Sequence, residues 1–373
     1  PGKQEPDIVT TPFETDLDFT GTEHVLVVQL KNDNELDALF RLLFLKQCNA
    51  LHEILPGLFE RTADYSELLL PLSFTDRDGV VYHLVNDIPE ADFDVSQGGQ
   101  IEIIGWLYQF YNSQPKDQVY ADLKQNKKIT KEKIPAATQL FTPEWIVKYM
   151  VENSLGRLWV EGHPNESLKK NWQYYLEQAD QEPEVEEKLE AIQTEYSALN
   201  PEDIKLMDPC MGSGHILVYA FDILMQIYES CGYMPRDAAQ SIIEHNLYGL
   251  DIDRRAFQLA YFAVMMKARQ YNRRILNNRI RPNVFVTEDS RVLTPDVIEV
   301  IADGDESIVK DLYSIVDDLK EGTEYGSIID VTPVNFPVIY DRLDDILNRD
   351  GEILYSQIIR EQVVTLIKQA EAM

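Results

Sequence analysis

Cysteine is scarce in this chain: three in 373 residues, Cys48, Cys210 and Cys231, widely spaced, with no CxxC pair and no histidine cluster beside them. That pattern excludes a disulfide framework and a zinc site, and the three are read as reduced thiols. No run of eighteen uncharged apolar residues occurs, and no basic, apolar, small-residue triplet opens the chain. A membrane span and a signal peptide are therefore not expected, and the cytoplasm is the expected compartment. Positive charge is also short. Thirty-four Lys and Arg face sixty-four Asp and Glu, a net charge of −30, and a protein that neutralises phosphates needs concentrated bases. Whole-chain charge thus argues against extensive nucleic-acid contact by this piece.

What is present is enough apolar material, 44% with 10% aromatic, for two soluble globular domains, each with its own core. The first residue is Pro1 rather than Met, and a helical pattern still runs at Met373, which reads as a piece of something longer. One stretch breaks the acidic trend. From Arg254 to Thr287 stand eight bases (Arg254, Arg255, Lys267, Arg269, Arg273, Arg274, Arg279, Arg281) and no acid. A second, smaller basic segment runs from Lys116 to Lys133. Each is either a solvated helix face or a phosphate-facing surface.

Residues 1–22 lack periodicity and are expected to be an extended arm. Asn34 to Leu55 carries Leu36, Leu39, Phe40, Leu43 and Phe44 at helical spacing until Pro56-Gly57 breaks it. Val80 to Val85 reads as a strand, and Ile101 to Tyr111 as an aromatic-rich helix. Residues 23–134 are expected to form a mainly helical N-terminal domain. Thr142 is placed as N-cap and Pro143 in the first turn of a helix continued by Ile146, Val147, Met150, Val151 and Leu155. Residues 161–203 look like a helical insertion, with Trp172, Tyr174 and Tyr175 in one helix and Pro183 to Leu199 in another.

From Ile204 the pattern becomes strand, Gly turn, helix, helix, strand, helix, strand. The strands are expected at Ile204 to Met207, Leu247 to Leu250 and Asn283 to Thr287, and the helices at Ser213 to Tyr228, Pro235 to His245 and Arg254 to Tyr271. This alternation predicts a parallel α/β sheet in a doubly wound, Rossmann-like core, over residues 135–294. The tail, 295–373, reads as helical and acidic, with 16 acids against 6 bases from Ile301 onward.

Asp208-Pro209-Cys210-Met211-Gly212-Ser213-Gly214-His215 follows the first strand and opens a helix. Its glycines permit a tight turn and close backbone approach to a ligand at the helix N-terminus, while Asp208 can face an ammonium group. The third glycine of a dinucleotide fingerprint is missing, which disfavours NAD. Asp251, at the next strand end, can accept from two ribose hydroxyls, with Ile252 flanking the adenine face. Asp289, after the third strand, can accept from the adenine amino group. Three acids in series after three strands are hard to obtain by accident.

These motifs, with Thr138 to Pro143 upstream, resemble motifs X, I, II and III of gamma-type adenine-N6 DNA methyltransferases, in that family's order. The stretch from Ile101 to Glu161 is closely similar to the large adenine methyltransferases of BREX phage-defence systems, the PglX type. The resemblance implies S-adenosyl-L-methionine as cofactor and adenine N6 in double-stranded DNA as the intact protein's target, with other BREX defence proteins as partners. It places Phe141, Thr142 and Pro143 near the methionine end, and Asp208, Pro209, Gly212 and Gly214 around the amino-acid part. It gives Asp251 to the ribose, and Ile252 and Asp289 to the adenine. One departure stands out: the family's Asn-Pro-Pro-aromatic motif, which holds the flipped base, is absent. Asn200-Pro201 and Asn335-Phe336-Pro337 lack its pattern. No catalytic residue is therefore assigned, and 295–373 is read as the segment preceding that motif. An RNA or protein acceptor, and a non-catalytic acidic scaffold in a defence complex, remain as alternatives.

Overall fold

The structure, a computed structural model, describes residues 6–15, 17–59, 73–93, 101, 103–130, 133–138, 142–278, 280–348 and 355–373. The chain divides into two compact units, residues 1–106 with 273–279, and residues 107–272 with 280–373.

The first unit holds α1 (Asp7–Thr10), α2 (Gly21–Asn32), α3 (Leu36–Ile54) and α4 (Val80–Asn86). Its core gathers Val9, Val27, Leu39, Phe40, Leu43 and Phe74. The arm expected to be extended is not so throughout. Val9 is buried on α1, and α2 already starts at Gly21. A capping box explains that start: Thr20 accepts from the Glu23 N–H, and the Glu23 carboxylate accepts from the Thr20 N–H. The strand expected at Val80 to Val85 is helix α4. A β-branched run makes a strand only beside a partner ladder, and the first unit has none among the described residues.

α5 (Ile103–Lys124) extends the expected aromatic helix by more than three turns and passes through Pro115. After α6 (Ile134–Thr138), α7 (Glu144–Val151) begins with Pro143, not Thr142, as its N-cap residue. A π turn at Glu152–Gly156 joins it to α8 (Arg157–Gly162), followed by α9 (Glu166–Lys169) and α10 (Pro183–Tyr196). Trp172, Tyr174 and Tyr175 lie in turns and irregular chain rather than in the expected helix. Tertiary anchoring decides this. The Trp172 ring is buried against Gly156, where a Cβ would come within 2.9 Å of it, and its Nε1 donates to Gln226 at 3.2 Å.

The sheet comprises β1 (Leu206–Asp208), β2 (Leu247–Asp251) and β3 (Asn283–Val286), all parallel, in the order β1-β2-β3. Asp208 pairs with Gly249, and Asp251 with Val286. Helices α11 (His215–Ser230), α12 (Pro235–Ser241) and α13 (Arg254–Tyr271) form the crossovers. The observed sheet is smaller than a doubly wound one, in which the strand order reverses about a switch point. These three strands progress in one direction only. Asn246, fully buried at the end of a π turn, donates to the carbonyls of Pro201 and Ile204, both at 2.7 Å, and so ties the entry of β1 to that of β2.

The described part of the tail holds α14 (Pro295–Ala302), α15 (Glu306–Asp318), α16 (Gly322–Tyr325), α17 (Phe336–Asn348), α18 (Ser356–Ile358) and α19 (Val364–Ala372). Ile298, Ile301, Leu312, Ile315, Ile339, Leu343 and Ile367 give it a core of its own. Among the described residues no helix is long and apolar enough to cross a membrane.

Candidate functional site

The chain leaves β1 at Asp208, turns through residues 209–214 and enters α11. Two residues of that turn are left-handed, Gly212 at φ +54° and Gly214 at φ +85°. The two glycines have different reasons. A Cβ on Gly212 would meet nothing within 4 Å, whereas one on Gly214 would stand 3.1 Å from both Cα and Cβ of Ala260. Gly214 therefore serves the close packing of α11 on α13, and Gly212 keeps the backbone open toward solvent or ligand. Gly249 has a packing role that its sequence context did not reveal. Its Cβ would lie 2.6 Å from Met211 Sδ and 2.9 Å from Leu217 Cδ1.

Asp208, Gly212 and Asp251 come together. Asp208 is buried, and its Oδ1 accepts from the Cys210 N–H at 3.1 Å. Asp251 bridges two backbone donors: Oδ2 accepts from the Gly212 N–H and Oδ1 from the Asp253 N–H, both at 2.8 Å. Burial pushes both carboxyls above the ordinary carboxylate range, Asp251 to about 6; the two N–H donors pull Asp251 down, while the charges of Asp253 and Asp208 raise it. The Asp251 carbonyl in turn accepts from the Thr287 N–H at 2.7 Å, so the tips of β2 and β3 are locked side by side.

Asp289 follows β3 with its side chain nearly buried. Its Oδ1 accepts from both the N–H and the hydroxyl of Thr323, at 2.9 and 2.8 Å, and its Oδ2 pairs with Arg291 at 2.7 Å. Nothing in the sequence pointed to Thr323, which is 34 residues away. Ile252 is half-buried beside Gly326, where a Cβ would come within 2.6 Å of Ile252 Cγ2. Tyr108 carries no motif either; its hydroxyl donates to Asp253 Oδ2 at 2.6 Å, from α5. Thr142 is half-buried and Pro143 exposed at the start of α7, which packs on α11. Phe141 lies outside the described residues.

One polar atom in the turn has no partner: the hydroxyl of Ser213, whose residue is 3% exposed. An unsatisfied buried hydroxyl beside an open left-handed glycine, the buried Asp208 and the half-buried Asp251 fits a ligand that brings both donors and acceptors. A cationic amine and a diol meet those groups. The two Asn-Pro lookalikes are structural. Asn200 caps the turn Pro201–Asp203, and the Asn335 N–H donates to Asp311 at 3.0 Å ahead of α17. In the basic run, Lys267 pairs with Asp222 at 2.7 Å and Arg254 with Glu288 at 3.2 Å, so at least these two face acids of the same unit. No group of three metal-ligating side chains occurs among the described residues.

Residues 189–287 match the family model of N-6 DNA methylases, a span that contains all three strands with Asp208 and Asp251 and ends just before Asp289. The chain is 45% identical over 339 residues to the adenine-specific methyltransferase PglX of Lacticaseibacillus casei (strain Zhang), covering 87% of this chain and 27% of that protein. It is 48% identical over 275 residues to the adenine-specific methyltransferase BrxX of Escherichia coli O9:H4 (strain HS), covering 74% and 22% respectively. The chain thus spans about a quarter of the length of the curated relatives it matches. The kinship expected from the motifs is met by these relatives.

Proposed function

From this kinship with adenine-specific methyltransferases we propose that the intact protein methylates adenine N6 in DNA, in phage defence or restriction-modification, and that residues 208–289 form its S-adenosylmethionine cradle. The observation that carries the reading is the Asp251 carboxylate at the tip of β2, tied to the Gly212 N–H and bordered by the buried Asp208. The family match over residues 189–287 supports the same assignment.

Asp208 would face the cofactor's ammonium group, where an ionised carboxylate gains a charge-assisted bond. Asp251 keeps lone pairs for two ribose hydroxyls after its two backbone bonds. Ser213 would use its free hydroxyl on the amino-acid carboxylate. Ile252 would cover one adenine face, and Asp289 would accept from the exocyclic amino group. When bound, the cofactor supplies a methyl group on a sulfonium, whose transfer depends on in-line orientation of the acceptor. The residues named here hold and orient that donor. The three strands and their crossovers are read as one half of a doubly wound methyltransferase core, which follows a mainly helical N-terminal unit in the sequence, in a cytoplasmic protein.

The test is a calorimetric titration of the folded chain with S-adenosylhomocysteine. Heat is expected with the wild type, and Asp251→Ala should weaken binding by roughly a hundredfold, the loss of a charged hydrogen-bond acceptor for two hydroxyls. A folded wild type that gives no heat with either S-adenosylmethionine or its demethylated product sinks the proposal.

A further inference from the structure

Asp253 is the N-cap residue of α13, in extended backbone at φ −93° and ψ 112°. Its Oδ1 accepts from the Arg255 N–H and its carbonyl from the Phe257 N–H, both at 3.0 Å, so one side of the residue is committed to the helix it starts. Its own N–H donates to Asp251 Oδ1 at 2.8 Å. The residue that caps α13 is therefore also one of the two backbone donors that hold the Asp251 carboxylate.

The second oxygen of Asp253 goes to a different part of the chain. From Leu107 onward α5 belongs to the same compact unit as the sheet, and the half-buried Tyr108 donates its hydroxyl to Asp253 Oδ2 at 2.6 Å, across 145 residues of sequence. Three residues on, the Tyr111 ring lies parallel to that of Tyr108, 6.3 Å between centroids, and carries the Arg255 guanidinium 5.9 Å from its own centre. α5 thus grips the first turn of α13 through a charge-assisted hydrogen bond and a cation–π contact. Burial and the Asp253 carboxylate both push the Tyr108 phenol above its ordinary value, so it remains a donor at neutral pH. A helix cap needs only one carboxylate oxygen. Here the other is held as well, and with it the orientation of the peptide that carries the Asp253 N–H.

We propose that Tyr108 is a positioning residue for ribose recognition, acting through Asp253 on the Asp251 carboxylate. Asp251 has one N–H donor on each oxygen, from Gly212 and from Asp253, and the directions of these two donors set the plane in which it meets the ribose hydroxyls. Gly212 is fixed by the turn after β1, and the Asp253 donor is kept in place from α5. The Tyr108 hydroxyl also offsets part of a negative charge two residues from Asp251, which otherwise repels that carboxylate. This role rests on the cofactor reading above.

The test is a calorimetric titration of the folded chain with S-adenosylhomocysteine and with its 2′,3′-dideoxy analogue. It compares wild type, Tyr108→Phe, Asp253→Ser and the double variant; the serine keeps a cap for α13 but has a single oxygen. The wild type is expected to prefer the diol by roughly tenfold or more, as sites built around specific hydrogen bonds do. Tyr108→Phe should cut that preference by about three- to tenfold, chiefly by weakening the diol form. In the Asp253→Ser background, which already lacks the connection, Tyr108→Phe should change the preference no further. Equal weakening of both ligands, or an unchanged preference, overturns the positioning role. A full Tyr108→Phe effect in the Asp253→Ser background overturns the route through Asp253. A wild type that binds neither ligand fails the cofactor reading and this role with it. A wild type that binds both equally removes the ribose contact and this role, and leaves cofactor binding standing.

Discussion

The Gly212 N–H donates to Asp251 Oδ2 at 2.8 Å, across 39 residues of sequence. With the Met211 N–H on the Leu250 carbonyl at 2.9 Å, this bond makes the turn after β1 and the tip of β2 one object: the left-handed glycine aims its donor at the carboxylate that the ribose is proposed to use. Perturbing either residue is therefore read at both.

Affinity for S-adenosylhomocysteine should depend on pH through Asp251, which burial raises to about 6. Ribose hydroxyls donate to the ionised carboxylate, so affinity is expected to fall roughly tenfold per pH unit below that value and to level off above it. Titrations across the range check this, and Asp251→Asn should flatten the profile. A flat wild-type profile would disconnect Asp251 from the ligand.

The same shift bears on stability with the opposite slope. The folded-state value of Asp251 lies above the unfolded one, so folding favours its protonated form. That contribution is full below about pH 4 and is lost as pH rises through about 6, on the order of 2–3 kcal/mol. Asp251→Asn is expected to gain stability relative to wild type between those limits, as read from urea midpoints at each pH.

The two turn glycines should respond unequally to alanine. Gly212→Ala meets open space and bears only the left-handed strain, about 1 kcal/mol. Gly214→Ala adds a collision with the α13 backbone at Ala260 and should cost about 2–4 kcal/mol. Equal denaturant midpoints for the two variants would remove the packing argument for Gly214.

Tyr219→Phe tests the buried Glu152. That carboxylate, 1% exposed, accepts from the Tyr219 hydroxyl and from the Tyr174 N–H, both at 2.6 Å. Burial and Glu152 together push the Tyr219 phenol upward, so it stays a donor at neutral pH. Removing it leaves a buried carboxyl underbonded, a loss of about 2–3 kcal/mol. Tyr219→Phe combined with Glu152→Gln should lose less than the two single changes add up to.

Gln369 stands in for a fourth strand at Glu288, pairing both backbone groups after β3. Gln369→Ala should cost about 1–3 kcal/mol by orphaning them, and amide exchange at Glu288 should accelerate. Gln369→Glu should be as costly, because a carboxylate accepts the N–H and repels the carbonyl.

Much of the second unit was legible in the sequence because its segments obey one period at a time. The helix from Arg254 to Tyr271 matches its expected bounds, and each strand lies within two residues of where its apolar run placed it. Legibility failed where a local pattern was ambiguous and a distant partner decided. Val80 to Val85 is β-branched enough for a strand but has no ladder to join. Trp172 has helical neighbours in sequence, yet its ring is drawn onto Gly156.

The sequence by itself determined the order of the motifs, the glycine turn and the three strand-end acids, since each is a property of a few consecutive residues. Only the tertiary structure decided which groups surround those acids. Thr323, Gly326, Gln369 and Tyr108 carry no motif. They reach Asp289, Ile252, Glu288 and Asp253 because the helical tail and α5 fold back onto the sheet's carboxyl edge. The tail, expected as an acidic helical segment, thereby supplies partners to the strand-end residues, for a hydrogen bond depends on distance in space and not along the chain.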